Sequence, residues 1–340
     1  MRGLLTVLLT VLSLLAVAAL SGCGFGGDGD GAADLTVYSG RDKDLVGPLL
    51  DRYAKEEGVE LKVRYDSTPE IAATLAEEGD RSPADVFLSQ DAGALGSLEA
   101  KDRLEPLPAE LLDRVDRRFR SPQGGWVGVS GRARVVAYNK ERVKESELPR
   151  SVLGLAAPRW KGKVGWAPTN ASFESFVTAL RKTEGEAGAE RWLRAMKAGD
   201  TQVYESNVAI RDAVAKGEIE VGLINHYYVA QARAKEGPDY PVGIYEPRGG
   251  DAGALVNVAG AAVVAGAEHK KAARELVAFL LSEEGQRYFA DRTKEYPLSA
   301  GVRPEPGLAP LKSIEQPDVD LSDLADLQET IELLERTGVL

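Results

Sequence analysis

The chain contains one cysteine, Cys23, and two histidines, His226 and His269, among its 340 residues. A single thiol cannot form an internal disulfide, and so few thiols and imidazoles do not support a cysteine-histidine zinc site. A Cys-His or Ser-His-Asp catalytic set is equally poorly supported. Lysine and arginine total 42 against 53 aspartates and glutamates, which gives a formal net charge of −11. Because non-specific nucleic-acid binding needs a basic surface, we expect no nucleic-acid partner.

Membrane-length apolar runs are confined to the N-terminus, where Arg2 precedes an apolar stretch at residues 4–20. This pattern is typical of a secretion signal. It ends in Leu-Ser-Gly-Cys, which resembles a bacterial lipobox; an ordinary signal with a chance cysteine, or an uncleaved anchor, is the alternative. We predict a signal peptide at 1–22, lipidation of Cys23 and a glycine-rich flexible tether at 23–33. The protein is then expected at the outer face of the cytoplasmic membrane, or in the periplasm.

From Leu35 onward, strand patterns alternate with helical patterns, which predicts parallel sheets covered by helices on both faces. The length of the chain suggests two such α/β domains. Two long extended runs, 127–138 and 255–264, interrupt the alternation, and each could cross between the domains. Two domains joined by two strands form a cleft that can close on a ligand.

Five loops lie between a predicted strand and the helix that follows it. In open α/β sheets ligands bind at the carboxyl ends of strands, and helix N-termini favour anions. The five loops are residues 39–43, 89–91, 169–172, 205–207 and 225–228. We expect the binding site among them.

Tyr227 and Tyr228 are adjacent at the end of the apolar run 219–224, before a helical run at 229–236. They are either core aromatics or metal ligands. A phenol has a pKa near 10, so ionising two of them at neutral pH requires a strong cation. Fe³⁺ suits such hard oxygen donors better than Zn²⁺ or Cu⁺, which prefer imidazole or thiolate. We interpret the neighbouring His226 as an orienting group and not as a ligand.

The other polar residues of the loops each have two interpretations. Asp42 caps the next helix or binds a metal, and Gln90 is a surface residue or a neutral oxygen donor. Arg41 is a solvated charge or an anion ligand, and one of the alternating Arg132 and Arg134 faces the cleft. Further residues, which are plausible helix caps and anion ligands, are Asn170, Ser172, Ser206 and Asn207.

The sequence resembles a known family, the bacterial ferric-iron-binding periplasmic proteins, which are the substrate-binding subunits of Fe³⁺ ABC importers. The resemblance extends over essentially all of the mature chain. The segments that carry it are residues 36–41, 78–87, 130–136, 225–228, 253–256, 282–286 and 295–298.

The resemblance implies a two-lobed α/β fold, the type II periplasmic-binding-protein fold, with two hinge strands. We predict one lobe from residues 34–133 and 260–304, and the other from residues 134–259 and 305–340. It also implies that Tyr227 and Tyr228 bind Fe³⁺ as tyrosinates. Across the cleft Asp42 stands where the family has a histidine, and Gln90 where it has a glutamate. These two are the remaining metal-ligand candidates.

An anion beside the iron is also implied: carbonate or phosphate, with citrate a further possibility. The anion-binding candidates are Arg41, Arg132, Thr169, Asn170, Ala171, Ser172, Ser206 and Asn225.

The predicted function is a monomeric binding protein, not an enzyme, that delivers Fe³⁺ to a membrane permease and its ATPase. The alternatives are uptake of an iron-free organic anion such as a phosphonate or sulfonate, a secreted hydrolase that uses Asp42 with a tyrosine, and a sensor subunit of a membrane receptor.

Overall fold

The computed structural model describes residues 34–340, and the predicted signal peptide, Cys23 and the tether lie outside this range. The strands are β1 Asp34–Ser39, β2 Glu60–Tyr65, β3 Val86–Ser89, β4 Leu104–Glu105, β5 Val127–Asn139, β6 Val164–Trp166, β7 Gln202–Val203, β8 Val221–Asn225, β9 Val242–Tyr245, β10 Val256–Val264 and β11 Tyr296–Pro297. The helices are α1 Lys43–Glu57, α2 Thr68–Glu78, α3 Ala92–Glu99, α4 Ala109–Leu112, α5 Ala171–Ala198, α6 Asn207–Lys216, α7 His226–Glu236, α8 Lys270–Leu280, α9 Glu283–Tyr288 and α10 Leu327–Arg336. Within residues 34–340, none of the helices combines the length and apolar character that crossing a bilayer requires.

Strand β5 joins two groups of strands. Its first half, up to Ala133, pairs antiparallel with β10, and its second half, from Arg134, pairs antiparallel with β8 and β9. The strand order is β2-β1-β3-β10-β5-β8-β6-β7, with β4 beside β10 and β11 beside β5. The predicted two-lobed α/β architecture is confirmed, and β5 is one of the two extended runs expected to cross between the lobes.

The second passage between the groups lies at the start of β10. This strand pairs with the first half of β5 from Val256 onward, and with β3 at its far end. Immediately before it, the carbonyl of Leu255 accepts a hydrogen bond of 2.7 Å from the backbone N–H of Arg134. The two passages therefore lie side by side, at residues 133–134 and 255–256.

Helix boundaries follow the local sequence signals closely. Helix α1 buries Leu49, Leu50 and Tyr53 and ends at Gly58, whose φ of 66° is the left-handed cap that glycine adopts without strain. The sequence patterns at 173–182 and 187–197 predict two helices, and in the structure these are the two parts of α5, which leaves helical geometry only at Gly185 (φ 71°, ψ 164°).

The C-terminal segment contacts both groups of elements. The apolar spacing from Leu324 to Leu334 predicts one C-terminal helix, and this is wrong: residues 321–325 form a 3-10 turn, Asp326 is non-helical, and α10 starts at Leu327. The turn packs on α3, where a Cβ on Gly93 would approach the carbonyl oxygen of Leu324 to 2.6 Å. Helix α10 packs on α5 instead. A continuous helix could not make both contacts.

Candidate functional site

The five predicted loops are found where a strand leads into a helix. They connect β1 to α1, β3 to α3, β6 to α5, β7 to α6, and β8 to α7. The helices α5, α6 and α7 therefore direct unpaired backbone N–H groups toward the ends of neighbouring strands, since β6 pairs with both β7 and β8. This arrangement favours anionic ligands at that edge of the sheet.

Tyr227 and Tyr228 lie in the first turn of α7, directly after the buried strand β8. Their ring centroids are 4.3 Å apart and their planes are inclined by 34°. Burial raises the pKa of the Tyr228 phenol above its ordinary value, as does the neighbouring Tyr227, and Arg132 and Asn207 offset this only in part. Tyr228 is therefore a neutral phenol at neutral pH unless a cation displaces its proton.

His226 is fully buried and both of its ring nitrogens are engaged. Nδ1 accepts a hydrogen bond of 3.1 Å from the backbone N–H of Ala133, and Nε2 donates one of 3.0 Å to the carbonyl of Lys294. Burial lowers the pKa of His226 to about 4, so the imidazole is neutral at neutral pH. With no nitrogen left for a metal, its contacts are those expected of an orienting residue.

Arg134 connects β5 to the loops that precede α5 and α7. Its Nη1 lies 3.2 Å from both the Ser172 hydroxyl and the Asn225 amide oxygen, while the guanidinium carbon lies 5.6 Å from the Phe176 ring centroid. Burial lowers the pKa of Arg134 to about 10, with Tyr227 opposing the shift, so the side chain stays charged at neutral pH. Its Nη2 is buried and has no hydrogen-bond partner among the described residues.

Asn170 organises the rest of this polar cluster. Its side-chain oxygen accepts hydrogen bonds from the Ser172 N–H and hydroxyl at 3.1 and 2.6 Å, and from Asn207 Nδ2 at 3.0 Å. Ser206 caps α6 by accepting from the N–H of Ala209 at 3.1 Å. The cap interpretation therefore describes Asn170 and Ser206. Of the remaining predicted anion ligands on this loop, Thr169 and Ala171 are exposed.

The start of α5 rests on a cluster of aromatic side chains. Trp166, Phe173, Phe176 and Trp192 pack with neighbouring ring centroids 5.6 to 6.4 Å apart, three of the four pairs edge-to-face. All four are buried. Because these rings fill the space beneath the loop, its polar groups are held toward the strand ends.

Arg41, on the loop between β1 and α1, is buried, with 2% of its side chain exposed. Its Nη2 donates to both carboxylate oxygens of Glu295, at 3.2 and 3.1 Å. Glu295 also accepts from the Ser130 hydroxyl at 2.7 Å. Burial by itself would raise the pKa of Glu295, but Arg41 and Arg132 hold it below its ordinary value. Nε and Nη1 of Arg41 are buried with no partner among the described residues.

Arg132 and Gln90 are held together, because Nη2 of Arg132 donates to the backbone carbonyl of Gln90. The backbone N–H of Gln90 in turn donates to Thr68 at 3.1 Å. Asp42 occupies the N-cap position of α1, yet its side chain makes no capping hydrogen bond and is exposed. The capping interpretation is therefore not observed for Asp42, and its carboxylate is available to a ligand.

A cavity of about 650 Å³ lies between these two sides. Arg41, Asp42 and Gln90 line it on one side, and Ala171 and Glu174 of α5 on the other. Its lining does not include the two tyrosines, which lie beside Arg132 and Asn207. Throughout residues 34–340, no three histidine, cysteine, aspartate or glutamate side chains are gathered to hold a metal ion.

A model of the bacterial extracellular solute-binding protein family matches residues 81–317. The chain is also 37% identical to the major ferric iron-binding protein of Neisseria meningitidis serogroup B. The alignment extends over 310 residues and covers 90% of this chain and 93% of that protein. The chain belongs to the bacterial ferric-iron-binding periplasmic protein family. Members of this solute-binding family are the substrate-binding components of ABC importers.

Solved structures of similar proteins agree with this assignment. Iron-bound HitA from Pseudomonas aeruginosa matches with a TM-score of 0.82 at 34% identity, over 90% of this chain and 99% of that one. A Trichodesmium protein in complex with iron and citrate matches with a TM-score of 0.79 at 30% identity, again over 90% and 99%.

Some polar residues near the site of this solute-binding protein were not identified from the sequence, or their roles were left undecided. Arg134 was not among the predicted anion ligands, although it lies two residues after Arg132 on one strand, where side chains share a face, and in the structure both are buried. Glu295 lies in a segment that carries the family resemblance, but nothing local indicated its pairing with Arg41. Glu174 carried no signal; burial, and then the nearby Asp91, raise the pKa of its carboxyl group.

Proposed function

We propose that this protein captures Fe³⁺ between its two lobes and delivers it to a membrane permease with its ATPase. Tyr227 and Tyr228 are the proposed metal ligands, as tyrosinates, with Asp42 and Gln90 completing the site from the opposite lobe. The observation that carries the proposal is the pair of adjacent phenols at the start of α7, whose ring centroids are 4.3 Å apart. The proposed lobes are residues 34–133 with 256–304, and 134–255 with 305–340. The second boundary moves from the predicted 259–260 to 255–256 because Val256 to Ala259 pair with the first half of β5.

An anion beside the iron is part of the proposal, since Arg41, Arg132 and Arg134 are all buried and, among residues 34–340, the one buried carboxylate near them, Glu295, interacts with Arg41 and Arg132 only. Buried charge without compensation is costly, so carbonate or phosphate is expected to bind there. Arg41 and Arg132 offer buried nitrogens from one side. On the other side, the proposed ligands are Arg134 and the previously predicted Thr169, Asn170, Ala171, Ser172, Ser206 and Asn225.

The relatives named for ferric iron support the cargo, and the iron-bound structures support the two-lobed mode of capture. A relative from Serratia marcescens, 32% identical over 90% of both chains, is named as a periplasmic Fe³⁺-binding protein. We further propose that the mature protein is a monomer in the periplasm, held at the membrane by lipid on Cys23.

The decisive experiment is visible absorption of the purified protein after loading from ferric nitrilotriacetate. Wild-type protein should bind one Fe³⁺ and develop a tyrosinate-to-iron band, because two phenolates donate charge to the metal. The Tyr227→Phe/Tyr228→Phe double variant should lose both the bound iron and the absorption band. Tyr245→Phe, which alters a buried tyrosine on β9, is the matched control and should retain the colour. A colourless wild-type protein that takes up no iron, or one that binds an organic anion alone by calorimetry, contradicts the proposal.

A further inference from the structure

His226 lies where three parts of the molecule meet, and its contacts connect all three. It is the first residue of α7, immediately before Tyr227, and it is fully buried. Its ring centroid lies 5.7 Å from that of Tyr227 with the planes at 89°, and 4.6 Å from that of Tyr296. The Tyr227 ring therefore packs against the imidazole, and a change in the imidazole position alters the direction of that phenol.

The first polar contact of His226 reaches the point where β5 passes between the lobes. Nδ1 accepts from the N–H of Ala133, the last residue of β5 to pair with β10. The next residue, Arg134, already pairs with Asn225 of β8. A rotation of one lobe against the other has to change the backbone at this point, since two neighbouring residues belong to two groups of strands.

The second polar contact reaches a segment that belongs with the opposite lobe. Nε2 donates to the carbonyl of Lys294, a non-glycine residue with φ of 61° in the left-handed region. Such a conformation costs free energy and persists only where surrounding contacts maintain it. Two of these contacts are the ion pair from Lys294 Nζ to Glu305, at 2.7 Å, and the hydrogen bond from Gln231 of α7 to the carbonyl of Thr293. The following residue, Glu295, holds Arg41.

We propose that His226 is a positioning residue that couples the hinge in β5 to the direction of the Tyr227 phenol, and thereby sets how fast bound iron is released. The inference rests on the proposed ferric function. Ala133 and Lys294 both lie in the lobe that begins at residue 34, whereas His226 begins α7 in the other lobe. Lobe opening therefore displaces the imidazole relative to both of its partners and alters its packing against the Tyr227 ring. Both ring nitrogens are already hydrogen-bonded to Ala133 and Lys294, so the residue acts through Tyr227 and not as a metal ligand.

Two substitutions separate the contacts. In His226→Asn the amide oxygen takes the place of Nδ1 and keeps the bond from Ala133, but the side chain is too short to reach Lys294. In His226→Gln the amide nitrogen takes the place of Nε2 and keeps the bond to Lys294, while the N–H of Ala133 loses its acceptor. His269→Gln, at the start of α8 and paired with Asp85, is the matched control.

Each variant is loaded with Fe³⁺, and the release rate to excess chelator, the position of the tyrosinate-to-iron band and the melting temperature are measured. We expect both variants to release iron about tenfold faster, since each loses one buried hydrogen bond, and to show a shifted band. His269→Gln should behave as wild type. Wild-type band and release rate in both variants, a lowered melting temperature alone, or a change in only one variant would each overturn the coupling. Failure of the ferric function itself is distinguishable, because the wild-type protein would then be colourless.

Discussion

The guanidinium of Arg41 and the carboxylate of Glu295 form a buried ion pair, 3.1 Å between Nη2 and Oε2, across 254 positions of sequence. Only 2% of either side chain is exposed. The pair fixes one edge of the guanidinium and leaves Nε and Nη1 without a partner among the described residues. Glu295 therefore compensates part of the charge of Arg41, and the remaining donors are available for an anion.

Removing one member of this pair should destabilise the fold strongly. Glu295→Ala leaves the Arg41 charge buried and uncompensated, which typically costs about 3–5 kcal/mol in the free energy of unfolding. Urea denaturation of the iron-free protein measures this loss. The control is Glu284→Ala, whose ion pair with Arg52 is about half exposed and should contribute less than about 1 kcal/mol. Equal effects of the two substitutions would contradict the assigned role of Glu295.

Iron uptake should release protons from the tyrosines. Burial raises the pKa of Tyr228, so its phenol is protonated throughout the neutral range, and Fe³⁺ must displace that proton. Lowering the pH favours the protonated phenol and therefore weakens iron binding, and raising the pH strengthens iron binding. Because binding expels the Tyr228 proton, that phenol alone should change the apparent binding constant by about tenfold per pH unit. A pH indicator in weak buffer, corrected for protons exchanged by the chelator, measures the stoichiometry in wild type and in Tyr228→Phe, which should release one proton fewer.

Changing the charge on the opposite lobe should tune the affinity for iron. Gln90→Glu adds a carboxylate at the cavity lining, and we expect Fe³⁺ to bind at least about tenfold more tightly, as a charge-assisted contact contributes ~1.5–3 kcal/mol. Asp42→Asn should weaken binding by a similar factor. Competition with a chelator of known affinity measures both. Asp44→Asn, an exposed residue in the first turn of α1, is the control, and an effect as large as that of Asp42→Asn would indicate a general change in surface charge.

Replacing Arg134 by lysine should reduce the affinity for the anion and preserve the fold. Lysine keeps the charge, but its single nitrogen cannot both donate to Ser172 and Asn225, as Nη1 does, and supply the second donor that Nη2 offers. We expect the phosphate or bicarbonate concentration that half-saturates iron loading to rise about tenfold. The measurement is the tyrosinate-to-iron band against added anion in anion-depleted buffer. Arg194→Lys on the surface of α5 is the control. An unchanged anion requirement in Arg134→Lys would remove this residue from the proposed anion site.

Much of the architecture follows from local sequence alone. The apolar run 219–224 before a polar loop correctly predicted β8, because a buried strand needs apolar side chains on both faces. The turn signals then predicted the helix starts that surround the site. The tyrosine pair was predicted as a metal site for a chemical reason, since adjacent phenols offer a hard cation two oxygen ligands.

Other features depend on where distant segments meet. No local pattern showed that β5 changes neighbours between Ala133 and Arg134, that Leu324 lies outside the C-terminal helix, or that Arg41 pairs with Glu295. The directions of the buried arginines were equally open, because a long flexible side chain takes its rotamer from its partners and not from its own sequence neighbours.

By itself, the sequence determined the strands, the helices, the five loops and Tyr227 with Tyr228, since these depend on apolar periodicity and on the chemistry of side chains within a few residues. Only the tertiary structure decided what holds that pair in place. The two nitrogens of His226 and the guanidinium of Arg41 found their partners 93, 68 and 254 positions away. Such contacts form when the whole chain packs, because burial forces each polar group to take the hydrogen-bond partner that folding brings within reach.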